Sequence, residues 1–70
     1  MKFEIVIHNQ HKTITRYGIN ANDINGKIYD ILSKHWIDEE TAIDCASWCE
    51  IAEDGESYNE ENFDVYVSIE

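Results

Sequence analysis

The chain has 70 residues, of which 43% are hydrophobic, with eight aromatics and a formal net charge of −10. Such a length and apolar content describe one small folded domain, near the size at which a single hydrophobic core is only marginally sufficient, and argue against disorder. No stretch approaches the roughly 18 apolar residues of a membrane helix, two cysteines without a signal-peptide context do not make a disulfide scaffold, and five dispersed basic residues disfavour direct nucleic-acid binding.

In chain order, residues 2–8 alternate, with Phe3, Ile5 and Ile7 on one side and Glu4, Val6 and His8 on the other. This is the pattern of a half-buried strand, not of a targeting segment. Asn9-Gln10-His11 is a polar break, and the Thr/Ile/Tyr-rich stretch from Lys12 to Tyr17 completes a hairpin over 2–17 that Gly18 ends. Ile14 is expected to face the core, with Thr13, Thr15 and Tyr17 on the opposite face. Asn20, Asn22 and Asp23 are candidate N-caps, because their short side chains accept hydrogen bonds from free backbone N–H groups. Ile24, Ile28, Ile31, Leu32 and His35 then recur at helical spacing and predict a helix over 22–35. Gly26 lies inside it and costs about 1 kcal/mol relative to Ala.

Asp38 is the natural N-cap of a second helix over 39–53, with Glu39 and Glu40 where the helix dipole favours negative charge. Ala42, Cys45, Ala46, Cys49 and Ala52 form its inward stripe, which Ile43, Trp48 and Ile51 widen, while Glu40, Asp44 and Ser47 face solvent. Gly55 fits a left-handed C′ position. Residues 59–62 read as a polar loop, and the alternation from Phe63 to Ile69 as a closing strand over 63–69. The predicted fold is α+β, a single two-layer domain of order β-β-α-α-β. Its three-stranded antiparallel sheet has the first strand in the centre and both helices on one face.

Charge divides along the chain: residues 1–37 carry all five basic groups and three acids, whereas residues 38–70 carry twelve acids and no Lys or Arg. Self-repulsion among those acids costs stability, so the asymmetry points to a use. The carboxylates that would form an acidic contact surface are Asp38, Glu39, Glu40, Asp44, Glu50, Glu53, Asp54, Glu56, Glu60 and Glu61. Presented on a rigid helix and loop, they can imitate a phosphate backbone; the bland alternative is a surface kept acidic for solubility. Trp36, Tyr58 and Tyr66 are the aromatic candidates for an anchor within such a contact.

Catalytic and metal chemistry have weaker support. Cys45 and Cys49 with His8 and His11 make a conceivable Cys2His2 set, but Cys-x3-Cys on a helix is not a zinc knuckle, and free cysteines are ordinarily buried. A nucleophilic Cys–His pair needs positive surroundings, and these thiols are surrounded by carboxylates. Asp54-Gly55-Glu56-Ser57-Tyr58 departs from a calcium loop, with Tyr58 at a ligand position and Asn59 where the loop requires Gly. No enzyme, cofactor or metal is expected.

The segments Ala46-Ser47-Trp48-Cys49-Glu50-Ile51-Ala52, Gly55-Glu56-Ser57-Tyr58 and Phe63-Asp64-Val65 resemble the end of small proteins from phages and mobile elements of Firmicutes. This resemblance covers about the last third of the chain and implies a compact α+β fold. In size, acidity and lack of a catalytic motif the chain is also similar to the anti-CRISPR proteins, a functional class of many unrelated folds. That similarity implies a non-enzymatic inhibitor in the cytoplasm of a bacterial host, a monomer or homodimer, whose partner is a basic nucleic-acid-handling protein such as a CRISPR effector. The alternative is an antitoxin or immunity protein that neutralises a basic nuclease toxin.

Overall fold

The computed structural model describes residues 1–8, 14–20 and 22–68. Its elements are β1 (Lys2–His8), β2 (Ile14–Asn20), α1 (Ile24–Lys34), α2 (Glu39–Cys49), β3 (Ser57–Asn59) and β4 (Phe63–Ser68). The class is α+β, as predicted, but the antiparallel sheet has four strands, in the order β2-β1-β4-β3. β1 lies between β2 and β4, as expected, and β3 adds an outer edge to β4.

Both helices cover one sheet face. Phe3, Ile5 and Ile7 of β1 and Phe63, Val65 and Val67 of β4 meet Ile24, Ile28 and Leu32 of α1 and Ala42, Cys45, Ala46 and Cys49 of α2 in one buried cluster. Each large aliphatic side chain fully buried there contributes about 1.5–3 kcal/mol relative to its exposed state. The alanines and cysteines of α2 keep that stripe thin, so the helix backbone packs close to α1 and the sheet.

The register of β2 corrects the sequence expectation. Ile7 pairs with Thr15, Ile5 with Tyr17 and Phe3 with Ile19, so Thr15, Tyr17 and Ile19 face inward. Ile14 points the other way and is exposed. The strand runs through Gly18 to Asn20, and the inward pair Tyr17 and Ile19 outweighs the single Ile14; with a side-chain period of two, one choice excludes the other. Thr13, the hairpin turn and Ile69 lie outside the described residues.

The helix ends also differ. Asp23 precedes α1 in a left-handed conformation (φ 55°) and makes no side-chain capping bond. Its carboxylate instead lies over Gly26, where a Cβ would stand 3.2 Å from it, which accounts for a glycine in the first turn. Asp38 does cap α2: its Oδ2 accepts from the Thr41 N–H at 3.0 Å and the Thr41 hydroxyl at 2.9 Å. α2 ends at Cys49 instead of 53, because Glu50 and Ile51 bond back to Ser47 and Trp48 in a tightened last turn. Ala52 then drops into the core. Gly55 (φ 90°) is therefore not the C′ residue of α2; it turns the chain toward β3 and donates its N–H to the Val67 carbonyl at 3.0 Å.

Candidate functional site

All ten predicted surface carboxylates are exposed. Glu39, Glu40 and Asp44 project from the outer side of α2 and, with the half-exposed Ile43, line one shallow depression. Asp38 and Glu60 line a second one beside Trp36, a cavity of about 170 Å³. Asp38, Asp44 and Glu60 also share an electrostatic neighbour. Burial first, then Cys45 and these three carboxylates, hold the Tyr58 phenol above its ordinary pKa. The groups that are separated in sequence by the whole of α2 and β3 thus lie on one side of the molecule.

The other five acids, Glu50, Glu53, Asp54, Glu56 and Glu61, are held by local bonds or lie further along the chain. Glu50 follows the last turn of α2, where the helix dipole disfavours a negative charge and no basic residue compensates. Its carboxylate accepts from Asn25 Nδ2 at 2.7 Å, which ties α2 to the start of α1. Glu56 accepts from the Glu53 N–H at 2.8 Å and closes the turn that carries Asp54. Glu61 lies in the loop between β3 and β4. The described basic residues are elsewhere: Lys27 and Lys34 on α1, Lys2 and Arg16 on the strands, with Arg16 3.5 Å from Glu4.

Of the three candidate anchors, Tyr58 is taken up by the fold. Its ring is 5.5 Å from Trp48 and 6.0 Å from Phe63, an aromatic stack that closes α2 onto the β3–β4 hairpin. Tyr66 is partly exposed on the outer sheet face. Trp36 is 93% exposed, the largest exposed apolar group among the described residues. It occupies the left-handed C′ position of α1 (φ 66°), with the Trp36 N–H donating to Ser33 at 3.1 Å and the Ile37 N–H to Leu32 at 3.0 Å. That bonding pattern is a Schellman motif, whose left-handed residue is usually glycine. Sequence periodicity missed this feature. A readable signal existed, since only four residues connect two helices and none of them is glycine.

Cys45, Cys49 and His8 do not converge, and His35 is paired with the Tyr17 hydroxyl at 2.6 Å. Cys45 and Cys49 are buried between helices and sheet; the adjacent Cys49 and then burial push the Cys45 thiol pKa up. A thiol held protonated is a poor nucleophile. His8 is on the opposite sheet face, where its Nε2–H donates to Asp64 Oδ2 at 2.7 Å. The sheet therefore separates it from the two cysteines, and His11 lies outside the described residues. Asp64 Oδ1 accepts from Asn59 at 2.8 Å, and Asn59 accepts from Ser57 at 3.0 Å. This chain of bonds braces β1, β4 and β3. Although burial opposes it, the bonds from Asn59 and His8 hold the Asp64 carboxyl below its ordinary pKa. Among the described residues no group of three or more His, Cys, Asp or Glu is placed to hold a metal, and no helix is long and apolar enough to cross a membrane.

Comparison with protein families, curated proteins and solved structures gives no match to this chain.

Proposed function

We propose that this protein is a non-enzymatic, anti-CRISPR-like inhibitor of the bacterial cytoplasm that blocks the nucleic-acid-binding site of a basic effector with its acidic side. The observation that carries the reading is the grouping of Asp38, Glu39, Glu40, Asp44 and Glu60 around α2. Carboxylates fixed on a helix and a hairpin offer a basic groove what a phosphate backbone offers it, without the bases. The same field raises the rate of encounter with a positive partner and makes the complex sensitive to salt. Two buried thiols and a histidine hydrogen-bonded to Asp64 are in keeping with a binder.

The test is capture of a purified CRISPR effector complex by the tagged protein, at low and high salt, with and without competing DNA. A stoichiometric complex that competes with DNA, weakens with salt and is lost on joint reversal of Glu39→Lys, Glu40→Lys and Asp44→Lys supports the reading. Full inhibition by that triple variant, or binding indifferent to salt, refutes it. Neutralisation of a basic nuclease encoded by an adjacent gene, without effect on the effector, would assign the same surface to an immunity protein.

A further inference from the structure

We infer that Trp36, with Asp38 and Glu60, is a receptor for an arginine side chain on the partner. This rests on the reading of the acidic side as the contact for a basic protein, and it names the residue type at the centre of that contact. An indole 93% exposed is an unused apolar face of the kind that dominates binding energy when a partner covers it. Tryptophan is also the strongest aromatic partner for a cation. Asp38 and Glu60 line the cavity beside Trp36, so an apolar residue and two acidic residues border the same opening.

That combination fits arginine better than lysine. A guanidinium is planar and stacks flat on an indole while its five N–H donors reach carboxylates at its edge; an ammonium is a compact, strongly hydrated point charge. Part of the receptor is also built before the ligand arrives. The Trp36 backbone is fixed by the two bonds that end α1, and the Asp38 carboxylate by the two bonds from Thr41. Asp38 and the Trp36 backbone are thus in place beforehand, while the indole and the Glu60 carboxylate order on binding.

The experiment titrates the full chain with nona-arginine and with nona-lysine at low salt, reading tryptophan fluorescence, for the wild type and for Trp36→Ala and Trp36→Gly. Both peptides carry the same formal charge, so long-range electrostatics cancels in their ratio. The wild type is expected to prefer nona-arginine by about two- to fivefold more than either variant does, the size of an exposed cation–π contact. Both variants, with unchanged far-UV circular dichroism, keep only the preference that guanidinium–carboxylate pairing gives. Equal binding by the wild type, or a preference undiminished in both variants, overturns the proposal. Its failure is distinguishable from failure of the inhibitor reading. If the acidic triple variant loses the effector and Trp36→Ala keeps it undiminished, the arginine receptor falls and the inhibitor stands. If the arginine preference depends on Trp36 but no effector complex competes with DNA, the inhibitor falls and the receptor stands.

Discussion

Replacing Trp36 by glycine is expected to make the protein more stable, an unusual outcome for deletion of the largest side chain. In the left-handed region an L-residue suffers a clash between Cβ and the following carbonyl that costs about 1–2 kcal/mol. Glycine removes that cost. Its greater freedom in the unfolded chain takes back about 0.4–1 kcal/mol. No cavity forms, because the indole is almost wholly in solvent and the core contact of this turn is made by Ile37 packing against the buried cluster. The balance is a gain of about 1 kcal/mol, which in a domain of this size raises Tm by about 4–8 °C. Thermal unfolding followed by far-UV circular dichroism, repeated in urea, measures it. Trp36→Ala is the control: it removes the indole but keeps the left-handed Cβ, and should stay within about 0.5 kcal/mol of the wild type. A Trp36→Gly protein less stable than Trp36→Ala would refute the reasoning, since it would mean that this residue is not left-handed or that its Cβ is not strained.

Two further outcomes follow from the buried and braced groups. Cys45 and Cys49 should resist an aromatic disulfide reagent in the native protein and react fully in denaturant; rapid native-state reaction would place the thiols at the surface. Asp64 has a folded-state pKa below its unfolded value, so its contribution to stability is complete above the ordinary carboxylate range and is lost as pH falls through the folded value. Asp64→Asn should therefore flatten the decline in Tm on acidification relative to the wild type, and parallel curves for the two proteins would show that the brace to His8 and Asn59 does not operate.

Where the fold was readable from sequence, a local rule and the tertiary demand agreed. β1 buries the side that its alternation marks, with Val6 of the other face buried as well, and Asp38 followed by Glu39-Glu40-Thr41 is both a good cap and the cap that forms. The misreadings fall where the two differ. Ile14 is the more apolar choice for the inward face of β2, but pairing with β1 from Phe3 to Ile7 admits only one phase, and the bulk of Tyr17 and Ile19 decides it. β3 is three residues long, too short for a period of two to register, and it joins the sheet by pairing with β4 from Ser57 to Asn59, with Tyr58 stacked between Trp48 and Phe63. The helical pattern of α2 continues past Cys49, yet Ala52 is needed beneath the sheet and the chain leaves the helix to deliver it. The candidate surface was legible as a list of carboxylates, but its grouping was not, because Glu60 joins Asp38 only through the β3–β4 hairpin.

The structure also separates the acids that the fold requires from those it does not. Asp38 caps α2, Glu39 and Glu40 sit at the favourable end of its dipole, Glu56 closes a turn, and Glu50 is anchored by Asn25 against an unfavourable dipole. Each has a local reason to be where it is. Asp44 and Glu60 have none among the described side-chain hydrogen bonds; both act on Tyr58 in the same sense as its burial, against ionisation. Trp36 goes further, since it exposes an indole where glycine would be easier to fold. Trp36 and Glu60 border Asp38, and Asp44 borders Glu39 and Glu40, so the positions least explained by stability lie within the surface proposed for a basic partner. A surface kept acidic only for solubility would need the charge, but it would not need a tryptophan held out among the carboxylates.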